Sequence, residues 1–187
     1  MIQTLTTTRL VLRPARPADL DALWALWTDP DVRRFLWDDR MITRDEAEST
    51  LADLIALHAK GLGLWVLGSR SRDPEPDPLG CAALSPAGTA ARYEPRLAGL
   101  VEVLVALSPR VWGRGYAHEA LGALIAYAAG TLGLDRLAGV TDVPNMASNR
   151  MLRRAGFALL GETDGPRYPL RTYLWDARRP DGEVYKT

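Results

Sequence analysis

The chain has 187 residues, of which 47% are hydrophobic and 25% are charged. This composition is typical of a folded globular protein and excludes the disordered and fibrous classes. The length suits one domain, which we predict to span residues 1–187. The 23 basic and 23 acidic side chains give a formal net charge of zero, which argues against a nucleic-acid or membrane partner bound through bulk charge.

The single cysteine, Cys81, excludes an intrachain disulfide, and its apolar flanks favour a buried structural thiol over a reactive one. The first ten residues contain four threonines and no apolar run, so they do not resemble a signal peptide. No stretch approaches the roughly 18 apolar residues that a membrane-spanning helix requires. We therefore predict a cytoplasmic protein.

The first third of the chain predicts one strand and two helices. Residues 10–12 form a short apolar strand pattern, and residues 17–28 carry apolar side chains at helical spacing. Thr43 and Glu46 stand three residues apart, as in a capping box, and predict the start of a second helix. That helix should end at Gly61.

Three further strands are predicted in the middle of the chain. The apolar runs 62–67 and 79–84 flank a charged, proline-rich link at 69–78, a pattern that predicts a β-hairpin. A second loop at 86–99 leads into residues 100–107, the strongest strand pattern in the chain.

The last third alternates helices with strands. A long helix is predicted over 116–132, a strand over 136–141 and a helix over 145–154, followed by strands at 157–161 and 168–175. Because strands both pair with neighbours and alternate with helices, the predicted class is mixed α/β around one sheet. His58 and His118 fall on helices without a second ligand at metal spacing, so no metal site is predicted.

The turn between the strongest strand and the long helix is the most informative segment. The first N–H groups of a helix have no internal partner and lie at the positive end of its dipole. Gly113 and Gly115 permit positive φ and close approach of an anion, while Arg110 and Arg114 add positive charge. These features favour a phosphate-binding turn. The alternative is an ordinary connection whose glycines serve geometry alone.

Two familiar phosphate motifs do not fit this turn. The dinucleotide-binding pattern Gly-x-Gly-x-x-Gly fails because His118 occupies the third glycine position, and no Gly-Lys-Ser/Thr sequence is present as in a P-loop. Instead, Arg110, Gly113 and Gly115 match the Gln/Arg-x-x-Gly-x-Gly/Ala signature of the GNAT acetyltransferases, whose turn binds the coenzyme A pyrophosphate. The string Trp-Gly-Arg-Gly-Tyr-Ala-x-Glu-Ala at 112–120 resembles the Rim-type ribosomal-protein alanine and serine N-acetyltransferases.

A second motif makes this resemblance specific. Residues 145–157 are similar to the Asn-x-x-Ser-x-Arg-x-x-x-Lys-x-Gly-Phe segment of the same branch, with Arg154 in place of the usual lysine. Residues 8–14 and 29–32 are also typical of it. The resemblance implies a single domain with a mostly antiparallel sheet of six to seven strands flanked by about four helices.

The resemblance also implies a cosubstrate, acetyl-CoA, and an acceptor, a primary amine on a protein N-terminus or a small molecule. Glu119, in the turn motif, is interpreted as a structural helix residue rather than a catalytic one. A homodimer is compatible with the sequence, which does not decide the oligomeric state. The residues expected to bind the cosubstrate are Leu104, Val105, Leu107, Arg110, Val111, Trp112, Gly113, Arg114, Gly115, Tyr116, Ala117, Asn145 and Ser148.

Glu102 is the candidate general base. It is the only carboxylate in the apolar strand 100–107, and partial burial there would raise its pKa. By resemblance, Rim-type enzymes carry at this place a glutamate proposed as base, acting directly or through water. The alternative is a polar residue on a solvated strand face. The resemblance further implies that a backbone N–H near Val105 meets the oxyanion.

Ser148 is the candidate proton donor to the departing thiolate. It lies in the first turn of the helix 145–154, and the family resemblance places the equivalent serine near the thioester sulfur. Many other GNAT branches use a tyrosine further along this helix, but Leu152 stands four residues after Ser148 and no tyrosine is available. In the alternative interpretation Asn145 is the helix N-cap and Ser148 is incidental.

The acceptor is less constrained by the sequence. We expect its pocket to involve residues 29–43 and 86–99, where Trp37, Asp38 and Asp39 would hold a cationic acceptor or form a solvated loop. A contrasting hypothesis is a regulatory CoA-binding module that has lost turnover. Retention of both Glu102 and Ser148 beside the turn motif argues against that hypothesis.

Overall fold

The computed structural model describes residues 1–71, 78–88 and 90–178. The strands within these ranges are β1 (Leu5–Thr6), β2 (Leu10–Pro14), β3 (Gly63–Ser69), β4 (Gly80–Pro86), β5 (Val101–Leu107), β6 (Arg136–Asp142), β7 (Ala158–Thr163) and β8 (Leu170–Asp176). The helices are α1 (Leu20–Thr28), α2 (Pro30–Arg33), α3 (Arg44–Ala56), α4 (Ala90–Tyr93), α5 (Tyr116–Gly130) and α6 (Met146–Arg154). None of these helices is long and apolar enough to cross a membrane.

The residues cluster into two compact units, and β5 and α5 contribute to both. The first unit contains the described residues of 1–85 together with 104–124. The second contains those of 86–103 together with the described residues from Ile125 onward. In strand order, the first unit runs β1-β2-β3-β4-β5 and the second β5-β6-β8-β7.

The first unit is an antiparallel sheet covered by helices. β2 pairs with β3 and β3 with β4, with Leu12 opposite Leu67 and Trp65 opposite Ala82. The predicted hairpin is therefore confirmed, although residues 72–77 of its loop lie outside the described residues. The helices α1 and α3 pack on each other, and α3 packs on β3. The side chains buried in this core include Leu23, Trp27, Leu51, Val66 and Cys81.

Cys81 lies in the interior of this core, as predicted. Its side chain is fully buried, and the Trp27 indole Nε1–H donates to its sulfur at 3.5 Å. Burial disfavours the thiolate, and it raises the pKa of the Cys81 thiol to about 11. A protonated, inaccessible thiol has no nucleophilic role.

The second unit combines one parallel pair of strands with antiparallel pairs. Its parallel ladder joins β5 to β6 through two pairs, Val101 with Leu137 and Glu102 with Ala138. β6 pairs antiparallel with β8 along its whole length, and β7 pairs antiparallel with β8 around a register shift between Leu159 and Gly161. The buried core of this unit contains Ala87, Ala90, Leu97, Ala138, Leu160 and Leu174.

The predicted fold class, a mixed α/β domain with a mostly antiparallel sheet, is confirmed, with differences confined to short elements. The seven predicted strands and four predicted helices are present, and β1, α2 and α4 are additional. No helix is predicted directly after residue 28, but the Asp29 carboxylate accepts from the N–H groups of Asp31 and Val32 and starts α2. Loop 86–99 contains α4, with residue 89 outside the described residues.

Candidate active site

The turn that precedes α5 presents unpaired backbone N–H groups. A single helical turn at Pro109–Val111 follows β5, and Gly113 and Gly115 then adopt left-handed φ angles of 76° and 79° before α5 begins at Tyr116. Among the described residues, the N–H groups of Gly113, Gly115 and Tyr116 have no hydrogen-bond acceptor. Unpaired donors at the positive end of a helix dipole can hold an anion, and we call residues 111–117 the candidate anion cradle.

Two contacts hold the base of this turn in place. Val111 is fully buried, and the Trp112 indole Nε1–H donates to the Leu107 carbonyl at 2.8 Å. Both residues precede the glycines and anchor the chain there, while Gly113 and Gly115 remain exposed. The cradle is consequently formed by main-chain geometry rather than by flexible side chains.

The two arginines of the motif, Arg110 and Arg114, donate hydrogen bonds to main-chain carbonyls. One Arg110 guanidinium nitrogen donates to the Pro78 carbonyl at 2.9 Å, and Arg114 donates to the Arg110 carbonyl at 3.3 Å. Both residues are exposed. Their predicted contact with a cosubstrate stays a prediction, as do those of Val111, Trp112 and Ala117.

The predicted binding residues of β5 differ in exposure. Leu104 and Val105 are half-buried, whereas Leu107 is buried. Leu104 packs against the core of the first unit. Contact of these three residues with a pantetheine arm stays a prediction.

Glu102 lies in the second unit, at the last pair of the β5–β6 ladder. Its side chain is half-buried, and no described residue forms a hydrogen bond or ion pair with its carboxylate. Burial without a compensating donor disfavours the charged form and raises the pKa of Glu102 to about 7. Near neutral pH this carboxylate can therefore both accept and release a proton.

The start of α6 separates the roles of Asn145 and Ser148. The Asn145 Oδ1 accepts from the Ser148 backbone N–H at 3.1 Å, so Asn145 is the N-cap of this helix. The Ser148 hydroxyl makes no hydrogen bond to any described residue and is half-buried. The cap thus uses the main chain of Ser148 and leaves its hydroxyl unused.

Sequence reasoning missed a buried polar network centred on Asn149. Its Nδ2 donates to the carbonyls of Asn145 at 2.7 Å and Asp142 at 3.0 Å, and its Oδ1 accepts from the Tyr173 hydroxyl at 2.7 Å. Asn149 and Tyr173 are both buried, at 3% and 0% exposure. The network fixes the loop that leads into α6. A signal was present, because Asn149 lies on the same helix face as the buried Leu152.

Residues 29–43, one of the two predicted acceptor segments, make contacts within the first unit. The Trp37 ring packs edge-on against Trp27 with centroids 5.9 Å apart, and Asp39 forms an ion pair with Arg33 at 3.0 Å. Asp38 and Asp39 adopt left-handed φ angles of 52° and 60°. Trp37 is thus a packed residue of the first unit, while acceptor binding by this segment stays a prediction.

Comparison with known proteins places this architecture in a family. The model of the GNAT acetyltransferase domain matches residues 9–158. The chain belongs to the GNAT acetyltransferases. The family predicted from the two motifs is confirmed, and with it the enzyme class, an N-acetyltransferase.

Two relatives and one solved structure illustrate the family likeness. An uncharacterized N-acetyltransferase of Bacillus subtilis, YoaA, is 28% identical over 187 residues, covering 99% of this chain and 96% of the relative. The FsC-acetyl coenzyme A-N(2)-transacetylase of Aspergillus fumigatus is 31% identical over 155 residues, which cover 82% of this chain and 64% of the relative. The RimL ribosomal L7/L12 α-N-protein acetyltransferase in complex with coenzyme A aligns with a TM-score of 0.71 at 21% identity, covering 93% of this chain and 99% of that one.

Substituting the turn glycines should weaken CoA binding specifically. A Cβ at Gly113 meets nothing within 4 Å, so the cost of Gly113→Val lies in its φ of 76° rather than in a clash. We expect the turn to relax and the Kd for CoA, measured by calorimetry, to rise at least about tenfold.

Gly133→Val is the matched control, because Gly133 has a φ of 67° and equally open surroundings but lies after α5. It should cost comparable stability and leave the Kd unchanged. Unaltered CoA affinity in a folded Gly113→Val protein would contradict the assignment of the cradle.

Proposed function

We propose that this GNAT enzyme transfers the acetyl group of acetyl-CoA to a primary amine, with a protein N-terminal α-amine as the preferred acceptor class. The observation that carries the proposal is the row of unpaired N–H groups at the left-handed glycines before α5. A diphosphate is a strong acceptor for such donors, and coenzyme A contains one. The coenzyme A complex of RimL supports the same cosubstrate.

Glu102 supplies the base in this proposal. An α-amine with a pKa of about 7.8 is about a tenth neutral at pH 7, while a lysine side chain with a pKa of about 10.4 is almost wholly charged. A carboxylate whose pKa is about 7 can take a proton from the first with little penalty, but is poorly matched to the second. The elevated pKa of Glu102 therefore favours an α-amine or another weakly basic amine.

The remaining steps use one hydroxyl and one main-chain donor. The neutral amine attacks the thioester carbonyl, and the N–H near Val105 is proposed to stabilise the oxyanion. When the C–S bond breaks, the Ser148 hydroxyl donates a proton to the thiolate and regains one from the attacking nitrogen, directly or through water, leaving the amide product and CoA thiol. The unused hydrogen-bonding capacity of Ser148 supports this role.

A small-molecule amine is the second acceptor candidate. The relative from Aspergillus fumigatus, which is 31% identical, is an N(2)-transacetylase. Because its name specifies an N(2) acceptor and no protein N-terminus, this relative supports a small-molecule amine as the second candidate.

An acceptor panel tests the proposed function. Release of CoA thiol should be measured with peptides that begin in Ala or Ser, with the same peptides N-acetylated but containing lysine, and with small primary amines. We expect kcat/KM to be at least about tenfold higher for the free α-amine than for lysine, because less free energy is needed to deprotonate it. Absence of thiol release with every amine would favour the inactive binding module.

Ser148→Ala should separate catalysis from helix capping. The backbone cap remains in this variant, so the free energy of unfolding should stay near the wild-type value, while kcat falls by ~10–100-fold with little change in the Kd for acetyl-CoA. Asn145→Ala is the matched variant, and loss of its cap should lower the free energy of unfolding by about 1 kcal/mol. Wild-type kcat in Ser148→Ala would exclude the hydroxyl from proton transfer.

Glu102→Gln should remove the base while keeping the side-chain shape. Wild-type kcat/KM should rise with pH up to about 7, where Glu102 becomes ionised, and the variant should lose ~10²–10⁴-fold near neutral pH. Higher pH should partly rescue it, because solvent then deprotonates the amine.

A stability measurement gives an independent readout. Because the folded-state pKa of Glu102 lies above its ordinary value of 4.5, the native state binds the proton more tightly than the unfolded chain. This group therefore lowers the free energy of unfolding as pH rises from about 4.5 to 7, and Glu102→Gln should lack that component. The exposed Glu48→Gln serves as control and should change neither activity nor this profile.

A further inference from the structure

Glu119, in the first turn of α5, joins this helix to the segment before β2. Its carboxylate accepts from the Thr7 hydroxyl, from the Arg9 backbone N–H at 2.8 Å and from the Arg9 Nε at 2.6 Å. Arg9 Nη2 adds an ion pair at 2.6 Å. Thr7 and Arg9 are more than 100 residues away from Glu119 along the chain, so the carboxylate pins two distant segments of the first unit together.

Arg9 uses its remaining guanidinium nitrogen on the glycine turn. Its Nη1 donates to the Arg114 carbonyl at 2.8 Å, and its guanidinium carbon lies 4.7 Å from the centre of the Tyr116 ring. The planar guanidinium therefore bridges the Glu119 carboxylate and the carbonyl that immediately precedes Gly115. A rigid fork with five donors suits this double contact.

The contact with the Arg114 carbonyl fixes the direction of a neighbouring donor. In a trans peptide the C=O and N–H bonds point in opposite directions, so the N–H of Gly115 points away from Arg9. Glycine tolerates widely different backbone angles, and a glycine peptide can rotate at little cost unless an external contact selects one orientation. At this turn that contact comes from Arg9.

We propose that Arg9, held by Glu119, is a positioning residue that orients the Gly115 N–H toward the diphosphate of CoA without itself being a ligand. The proposal rests on the function proposed above. Its benefit is pre-organisation, because a donor already oriented in the unbound protein pays no ordering cost when the anion arrives. It also assigns a role to Glu119, the structural residue of the turn motif.

The charge state of Glu119 is suited to this task. Burial by itself raises the pKa of Glu119. The hydrogen bonds from Thr7 and from the Arg9 main chain and side chain together outweigh this effect, so the net shift of the pKa is downward. The carboxylate is therefore ionised throughout the neutral range, and the bridge to Arg9 should hold wherever the enzyme works.

Arg9→Lys is the decisive variant. It keeps the positive charge, but one ammonium group cannot reproduce the fork that spans Glu119 and the Arg114 carbonyl. We expect the Kd for CoA, measured by calorimetry, to rise roughly 10- to 100-fold. The affinity for pantetheine, which lacks the diphosphate and is followed by NMR titration, should change less than about twofold.

Arg70→Lys is the matched control. Arg70 lines the same surface cleft as Arg9, and its guanidinium donates to the Thr7 carbonyl instead of to the turn. It should leave the Kd for CoA within about twofold of wild type. Glu119→Gln, which keeps the shape but removes the charge that holds Arg9, should show a smaller loss of CoA affinity in the same direction.

Each outcome decides for or against the positioning role. Wild-type CoA affinity in a folded Arg9→Lys protein, an equal loss for pantetheine, or an equal loss in Arg70→Lys would overturn it while leaving the proposed function intact. Failure of both Arg9→Lys and Glu119→Gln to fold would assign the pair to stability instead. If the wild-type protein does not bind CoA, the proposed function fails together with this inference.

Discussion

The unpaired peptide groups before α5 are the constraint around which the neighbouring contacts of the first unit are arranged. Exposed N–H donors at a helix start attract anions, but only if the backbone holds them in one direction. Two left-handed glycines make the required path possible, and they also make it soft. The surrounding residues supply the missing rigidity: Trp112 and Val111 on one side, and the Arg9–Glu119 bridge on the other.

A second constraint is the environment of Glu102. Its carboxylate is half-buried on a strand, with no donor among the described residues to stabilise the anion, so its pKa is raised to about 7. This arrangement costs stability at neutral pH, which makes it a poor choice for a purely structural residue. The cost fits the role proposed for Glu102, a base for an amine of similar pKa.

At the start of α6, the structural hydrogen bonds are made by residues other than Ser148. Asn145 caps the helix and Asn149 ties the preceding loop to Tyr173, so the backbone there is satisfied without the Ser148 hydroxyl. A side chain relieved of structural duty on a well-anchored helix is suited to proton transfer. Cys81 is the contrasting case, because its thiol is buried in the core and accepts a hydrogen bond from Trp27.

The fold class, the family and the glycine turn can be predicted from the amino-acid sequence, because local sequence patterns specify them. Periodicity marks strands and helices, Thr43 and Glu46 mark a helix start, and the two motifs at 110–117 and 145–157 mark the family. The short helix α2 was not predicted, because a capping residue followed by proline is found both at the end of one helix and at the start of another.

Contacts between residues far apart in the chain depend on the folded arrangement. The bridge from Arg9 to Glu119, the bond from Tyr173 to Asn149 and the burial that sets the pKa of Glu102 all join residues far apart in the chain or depend on their packing. No local pattern specifies such contacts, since hydrogen-bond partners and desolvation are properties of the folded arrangement. The motif at 110–117 therefore predicts the position of the turn, while tertiary packing determines how its backbone N–H donors are held.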